Sequence, residues 1–83
     1  MYYEDPKLAR LKKRSLTLAS HKTSISLEEP FWVLLKEIAE QEEKSLTALI
    51  LEIDSKRKGS LSSALRLHVL ETLFLKSKSN QFS

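Results

Sequence analysis

Few residues in this chain have the types and spacing for chemistry. It has no cysteine, two histidines (His21 and His68) and one glycine, Gly59. These counts remove a thiolate nucleophile, a disulfide and a thiolate zinc site, and a single glycine cannot build a Gly-rich phosphate loop. Ser62 and Ser63 precede His68, and the simplest reading is surface or capping serines beside a packed or half-exposed helix histidine. The acids Glu37, Glu40, Glu42 and Glu43, with Lys36 among them, fit the solvated side of a helix better than acid–base catalysis. No catalytic residue, metal site or cofactor is expected, so the chain reads as a non-enzyme. What remains is basic and hydroxylic: the run Lys12-Lys13-Arg14, and Lys22 with Ser24 and Ser26.

Charge is distributed unevenly. The net charge is +3 over 83 residues. Residues 1–14 carry +3, residues 15–55 carry −5 and residues 56–83 carry +5. A polyanion would therefore meet the N-terminal arm and selected surfaces, not a uniformly cationic body. The competing reading of Lys12-Lys13-Arg14 is a run that merely solubilises a terminus. No segment approaches the ~18 apolar residues of a membrane span. The N-terminus lacks the apolar core of a secretory signal, and Glu4 and Asp5 count against a transit peptide. A soluble cytoplasmic protein is expected.

The elements that position these residues follow from periodicity. Residues 1–13 read as a basic flexible arm. Residues 14–27 (RSLTLASHKTSISL) alternate with the period of a strand. Thr23, Ile25 and Leu27 share one face, and Lys22, Ser24 and Ser26 share the other. Leu16 and Leu18 have the opposite parity from Ile25 and Leu27, so one unbroken strand would put leucines on both faces. A bulge or turn near Ala19-Ser20-His21 resolves this, leaving a firm strand at 22–27 and an extended stretch at 15–19.

Phe31, Leu34, Leu35, Ile38 and Ala39, widened by Trp32, predict a helix over 30–42, opened by Pro30 in its first turn. Glu28 and Glu29 sit at its positive pole. After a break at Glu42-Glu43-Lys44, Ser45 caps a second helix over 46–57 by accepting from the N–H of Thr47 or Ala48. That helix buries Leu46, Leu49, Ile50 and Ile53, and Gly59 supplies its left-handed stop. Ser60 caps a third helix over 61–76. Its apolar residues cover most of the circumference, which implies an interface. Residues 77–83 read as a disordered tail.

So short a chain without disulfides buries only roughly two-thirds of its unfolded surface. It is either a self-sufficient helical mini-domain or an oligomer that completes its core with a partner. A lone strand needs a hydrogen-bonding partner. With one firm strand available, the expected partner is the same strand of a second copy, related by a twofold axis. The resulting ribbon fits the DNA major groove. An edge strand of a small α/β fold is the competing reading.

At residues 23–53, TSISLEEPFWVLLKEIAEQEEKSLTALILEI, the sequence resembles the ribbon-helix-helix DNA-binding domains, the fold of the Arc and MetJ repressors. The alternating strand Thr23–Leu27, the opening Glu28 to Pro30, Ala39, the loop Glu42–Lys44 and Ser45 carry the likeness. The wording SLTLASHKTSISLEEPFW…LSSALRLHVLE is similar to a bacterial subfamily with a further C-terminal helix, over about residues 14–74. The resemblance implies a mainly α fold with one N-terminal β-strand, in an intertwined homodimer with an intermolecular two-stranded antiparallel ribbon and an extra C-terminal helix. It also implies a sequence-specific DNA-binding transcriptional regulator of repressor type, with a higher oligomer on DNA as a further option.

Base-reading side chains then fall on Lys22, Ser24 and Ser26. The phosphate clamp falls on Ser45, Leu46 and Thr47 at the second helix's N-terminus, with arm contacts from Lys12, Lys13 and Arg14. The dimer core falls on Ile25, Leu27, Phe31, Trp32, Leu35, Ile38, Leu49, Ile50 and Ile53. The alternative is a dimeric adaptor or antitoxin-like protein whose helix at 61–76 docks a protein partner.

Overall fold

A computed structural model of the chain describes residues 10–81, with side chains to residue 78. Two strands, β1 (Leu11–Leu18) and β2 (His21–Glu28), form an antiparallel hairpin. Three helices follow: α1 (Glu29–Gln41), α2 (Leu46–Lys56) and α3 (Leu61–Gln81).

The strand partner of β2 therefore lies in the same chain, where one firm strand and an intermolecular ribbon had been expected. The parity break at Ala19-Ser20 is the reason. Both residues have positive φ, 49° and 72°, as the two central positions of the twist-matched type I′ hairpin turn require. The chain reverses there, and eight residue pairs run without a bulge from Leu18↔His21 to Leu11↔Glu28. Leu16, Leu18, Ile25 and Leu27 come to share one face, because residues of opposite parity face the same way across a two-residue turn.

That face covers a core of Leu18, Ile25, Leu27, Trp32, Leu35, Ile38, Ala39, Leu49, Ile50, Ile53, Leu65 and Val69, all buried within one chain. Of the nine residues expected in an intermolecular core, eight are in this list and Phe31 packs against it. Within the single chain, Leu18 of β1 and Leu65 and Val69 of α3 join this core.

The helices keep their predicted limits within a residue or two, except α3. Pro30 occupies the first turn of α1. Glu43 lies inside the following break with φ 57°, and the Ser45 hydroxyl accepts from the Ala48 N–H at 3.0 Å. Ser60 accepts likewise from the Ser63 N–H at 3.2 Å. Gly59 departs from expectation, since no glycine has a positive φ. Instead α2 ends where Arg57 turns extended (φ −70°, ψ 150°), and the Arg57 guanidinium donates to the Gly59 carbonyl at 2.6 Å. Two expected boundaries also move. Strand β1 begins at Leu11, so residues 11–13 are ribbon rather than arm, while residues 1–9 lie outside those described. Helix α3 runs on through the expected tail to Gln81, because 77–81 holds neither proline nor glycine to stop it; residues 82–83 lie outside those described.

Candidate nucleic-acid interface

The hairpin has two chemically different faces. Lys12↔Leu27, Arg14↔Ile25, Leu16↔Thr23 and Leu18↔His21 point to the helices, and Lys13↔Ser26, Ser15↔Ser24 and Thr17↔Lys22 point away. Beyond the terminal Leu11↔Glu28 pair, which has the same parity, the outward face is a comb of six short or basic side chains, Lys13, Ser15 and Thr17 on β1 and Lys22, Ser24 and Ser26 on β2. All are exposed except the half-buried Ser26. Hydroxyls and ammonium groups on adjacent strands about 4.8 Å apart form a donor-rich surface suited to base edges and phosphates.

The helix-facing side fixes the ribbon on its support. The Trp32 indole N–H donates to the Lys12 carbonyl at 2.9 Å. Arg14 lies over the Trp32 ring, 5.2 Å from its centroid, and Lys12 pairs with Glu29 at 3.2 Å. The three arm bases thus separate. Lys13 joins the comb beside Ser26, whereas Lys12 and Arg14 turn to the opposite face and brace β1 against α1.

At the other end of the ribbon, Arg66 of α3 grips Glu28 with two hydrogen bonds, Nε to Oε1 at 2.9 Å and the second nitrogen to Oε2 at 3.2 Å. These bonds hold the Glu28 carboxyl below the usual carboxylate range, against a smaller opposing effect of burial. Arg66 also lies 5.8 Å from the Phe31 ring centroid.

The expected clamp residues gather at the start of α2. Ser45 is exposed, and Leu46 and Thr47 are half-buried. Their N–H groups open the helix, where no preceding turn offers a carbonyl. The adjoining Lys44 is drawn to Glu42 and Glu52. Hydrogen bonds from Lys44 hold Glu52 low, and those same carboxylates raise Lys44.

His68 is half-buried. Its Nε2 is shielded without a hydrogen-bond partner, beside a groove of about 270 Å3 that Glu52, Lys56, Arg57 and Glu71 also line. Lys13, Ser15 and Thr17 are the comb residues that the predicted base-reading set lacked. The signal for them was the alternation of 13, 15 and 17 against Leu16 and Leu18, legible once the turn is placed at Ala19-Ser20. Among the described residues no helix is long and apolar enough to cross a membrane.

A two-stranded antiparallel ribbon leading into a helix, a short left-handed break and a capped second helix defines a class of small DNA-binding folds. The chain belongs to the ribbon-helix-helix domain family, whose model matches residues 11–73. Among solved structures it is similar to an uncharacterized protein from Bordetella pertussis Tohama I, with 27% identity and a TM-score of 0.77 over 90% of this chain. The chain spans 65% of the length of that structure. No curated protein matches the sequence.

Proposed function

We propose that this is a non-catalytic DNA-binding protein, a transcriptional regulator of repressor type acting as a homodimer in a bacterial cytoplasm. Its ribbon enters the major groove. One observation carries this reading: the outward face of the hairpin collects Lys13, Ser15, Thr17, Lys22, Ser24 and Ser26, while Leu16, Leu18, Ile25 and Leu27 turn to the helices. An ordinary half-buried hairpin needs only a polar outer face. Here six of its eight positions are basic or hydroxylic, the terminal Leu11↔Glu28 pair being the exception, on a scaffold whose family is a DNA-binding fold. Serine and threonine reach short distances, so part of the base recognition runs through bridging water. The start of α2 at Ser45, Leu46 and Thr47 seats a phosphate, which fixes the register of the ribbon.

The test is selection of bound duplexes from a random DNA pool at stated salt, followed by a salt titration of the winners. An enriched consensus whose affinity falls with a slope of about −0.9 per phosphate contact supports the reading. No enrichment overturns it.

A second reading has its own observation. Leu67, Leu70 and Phe74 are exposed at 62%, 55% and 65%, and their spacing places them on one side of α3, away from Leu65 and Val69. Such a stripe suits an adaptor or antitoxin-like role in which α3 docks a protein partner, with affinity nearly independent of salt.

A further inference from the structure

We infer that β1 is a groove-wall strand. In the homodimer the two β2 strands pair with each other at the centre of one sheet, and each β1 lies outside them with Lys13, Ser15 and Thr17 against DNA phosphates. The inference rests on the DNA-binding homodimer proposed above and assigns the two halves of the comb different tasks.

The two open edges of the hairpin differ in charge. β1 covers one edge of β2 along all eight pairs, so a twin reaches β2 only from the other edge. Counting from the turn, Leu18↔His21 is a hydrogen-bonded pair, and alternation turns the backbone groups of Lys22, Ser24 and Ser26 to that open edge. The Ser62 hydroxyl donates to the Ser26 carbonyl over a long 3.5 Å. Among the described residues, no turn, loop or cap bond engages the backbone of Lys22 or Ser24. This edge accepts a twofold-related copy of itself, and the seam would hold one lysine from each copy, Lys22. β1 instead carries Lys12, Lys13 and Arg14 in succession. Two such strands side by side would crowd three bases from each copy along one seam, and like charges across strands oppose pairing. Lysines are a common guard of edges left unpaired. β1 is therefore the outer strand.

Groove dimensions give the outer strand its task. Neighbouring strands lie about 4.8 Å apart, so the order β1-β2-β2-β1 sets the outer strands about 14 Å apart. The major groove is about 12 Å wide. The central pair fits between the groove walls, and the outer pair rides over the phosphates that form them. Lys13 is exposed on the outward face, where its ammonium meets a phosphate, and Ser15 and Thr17 add hydroxyl donors. Lys12 and Arg14 take no part, because they face Glu29 and Trp32. Base reading falls to Lys22, the long side chain of the central pair, and through bridging water to Ser24 and Ser26.

The test compares the full-length protein with Lys13→Ala and Lys22→Ala, their fold checked by circular dichroism. Duplexes are selected from a random pool with each protein, and the winners are titrated with salt. The expected result is that Lys13→Ala weakens every duplex equally and lowers the salt slope by about two contacts, one from each copy. Lys22→Ala should lose discrimination at one base position by about tenfold. The chain has no cysteine, so Ser24→Cys and Ser15→Cys each offer a single thiol to a short bifunctional cross-linker. A covalent dimer is expected from Ser24→Cys and not from Ser15→Cys. If Lys13→Ala shifts a base preference or leaves the salt slope unchanged, or if only Ser15→Cys joins two copies, the groove-wall strand fails and the DNA-binding reading stands. If the unaltered protein enriches no duplex, that reading fails and takes the inference with it.

Discussion

Arg66 and Glu28 face each other across 38 positions of sequence in a two-point contact, with both guanidinium bonds landing on the one carboxylate. The pair ties the end of the ribbon to the first turns of α3, and Phe31 lies under the same guanidinium. A fork on a carboxylate fixes direction as well as distance, so this contact sets where α3 crosses the strand.

Its pH dependence follows from the lowered Glu28 carboxyl. A carboxyl lower in the folded chain than in the unfolded one stabilises the fold fully above about pH 5, and that contribution fades as pH falls through the folded value. Both side chains are about 30% exposed, so solvent screening limits the pair to about 1 kcal/mol or less. Denaturant midpoints for the native protein should fall more steeply than those of Glu28→Gln as pH drops below about 5. Parallel curves would show that the contact does not persist in solution.

The turn is the weakest local fit between sequence and conformation. Ala19 and Ser20 hold φ of 49° and 72°, where a side chain costs about 1 kcal/mol and Asn-Gly fits without strain. Replacing the pair with Ala19→Asn and Ser20→Gly should stabilise the chain by about 1 kcal/mol in thermal or denaturant unfolding. A destabilised double variant would mean that the chain does not reverse at these two residues.

This mismatch also explains what the sequence concealed. Helices α1 and α2 were legible because apolar spacing, Pro30 and the Ser45 cap all agree. The second strand was half-legible, since the parity of Leu16 and Leu18 demanded a break but Ala-Ser carries none of the chemistry that marks a hairpin turn. The start of β1 was hidden for another reason. Lys12 and Arg14 lie on the supported face yet are charged, and the Trp32 indole that engages them is 20 positions from Lys12. Gly59 misled because a glycine after a helix usually marks a left-handed stop, whereas here the Arg57 side chain closes the end. The comb on β2 was readable by alternation, and its β1 half was not, because Lys13 was assigned to an arm and Ser15 and Thr17 to an extended stretch without a pairing partner.

Trp32 joins ribbon and helix through two distinct interactions, and they can be separated. Trp32→Phe keeps an aromatic ring in the buried site but removes the N–H that reaches the Lys12 carbonyl. A loss of about 1 kcal/mol is expected from the hydrogen bond, with some added cost from reduced ring volume. Amide exchange should speed along β1 more than along α2, because the bond holds the outer strand. Equal acceleration everywhere would make Trp32 an ordinary core residue.

Ile25 tests the strand parity on which the whole interface depends. It is 2% exposed and sits directly between the ribbon and the helices, so Ile25→Asp buries a carboxylate without a partner. That costs several kcal/mol, enough to unfold a chain of this size. Ser24→Asp, one position away on the outward face, should leave the fold intact and weaken DNA binding by charge repulsion. Circular dichroism with a binding titration distinguishes the two. A folded Ile25→Asp protein would invert the assignment of faces.

Helix α3 offers the same contrast between neighbours. Leu65 is fully buried, while Leu70 and Phe74 are more than half exposed on the other side of the helix. Leu65→Ala removes core volume and should cost about 3 kcal/mol. Leu70→Ser should change stability by less than about 0.5 kcal/mol, because in the single chain it uncovers nothing. Melting both variants and the native protein over a hundredfold range of concentration shows whether that holds in solution. If Leu70→Ser is as costly as Leu65→Ala and the native melting temperature rises with concentration, the stripe is buried between copies. A concentration-independent melt with a silent Leu70→Ser leaves the stripe uncovered in the free protein. That result requires a chain that folds alone.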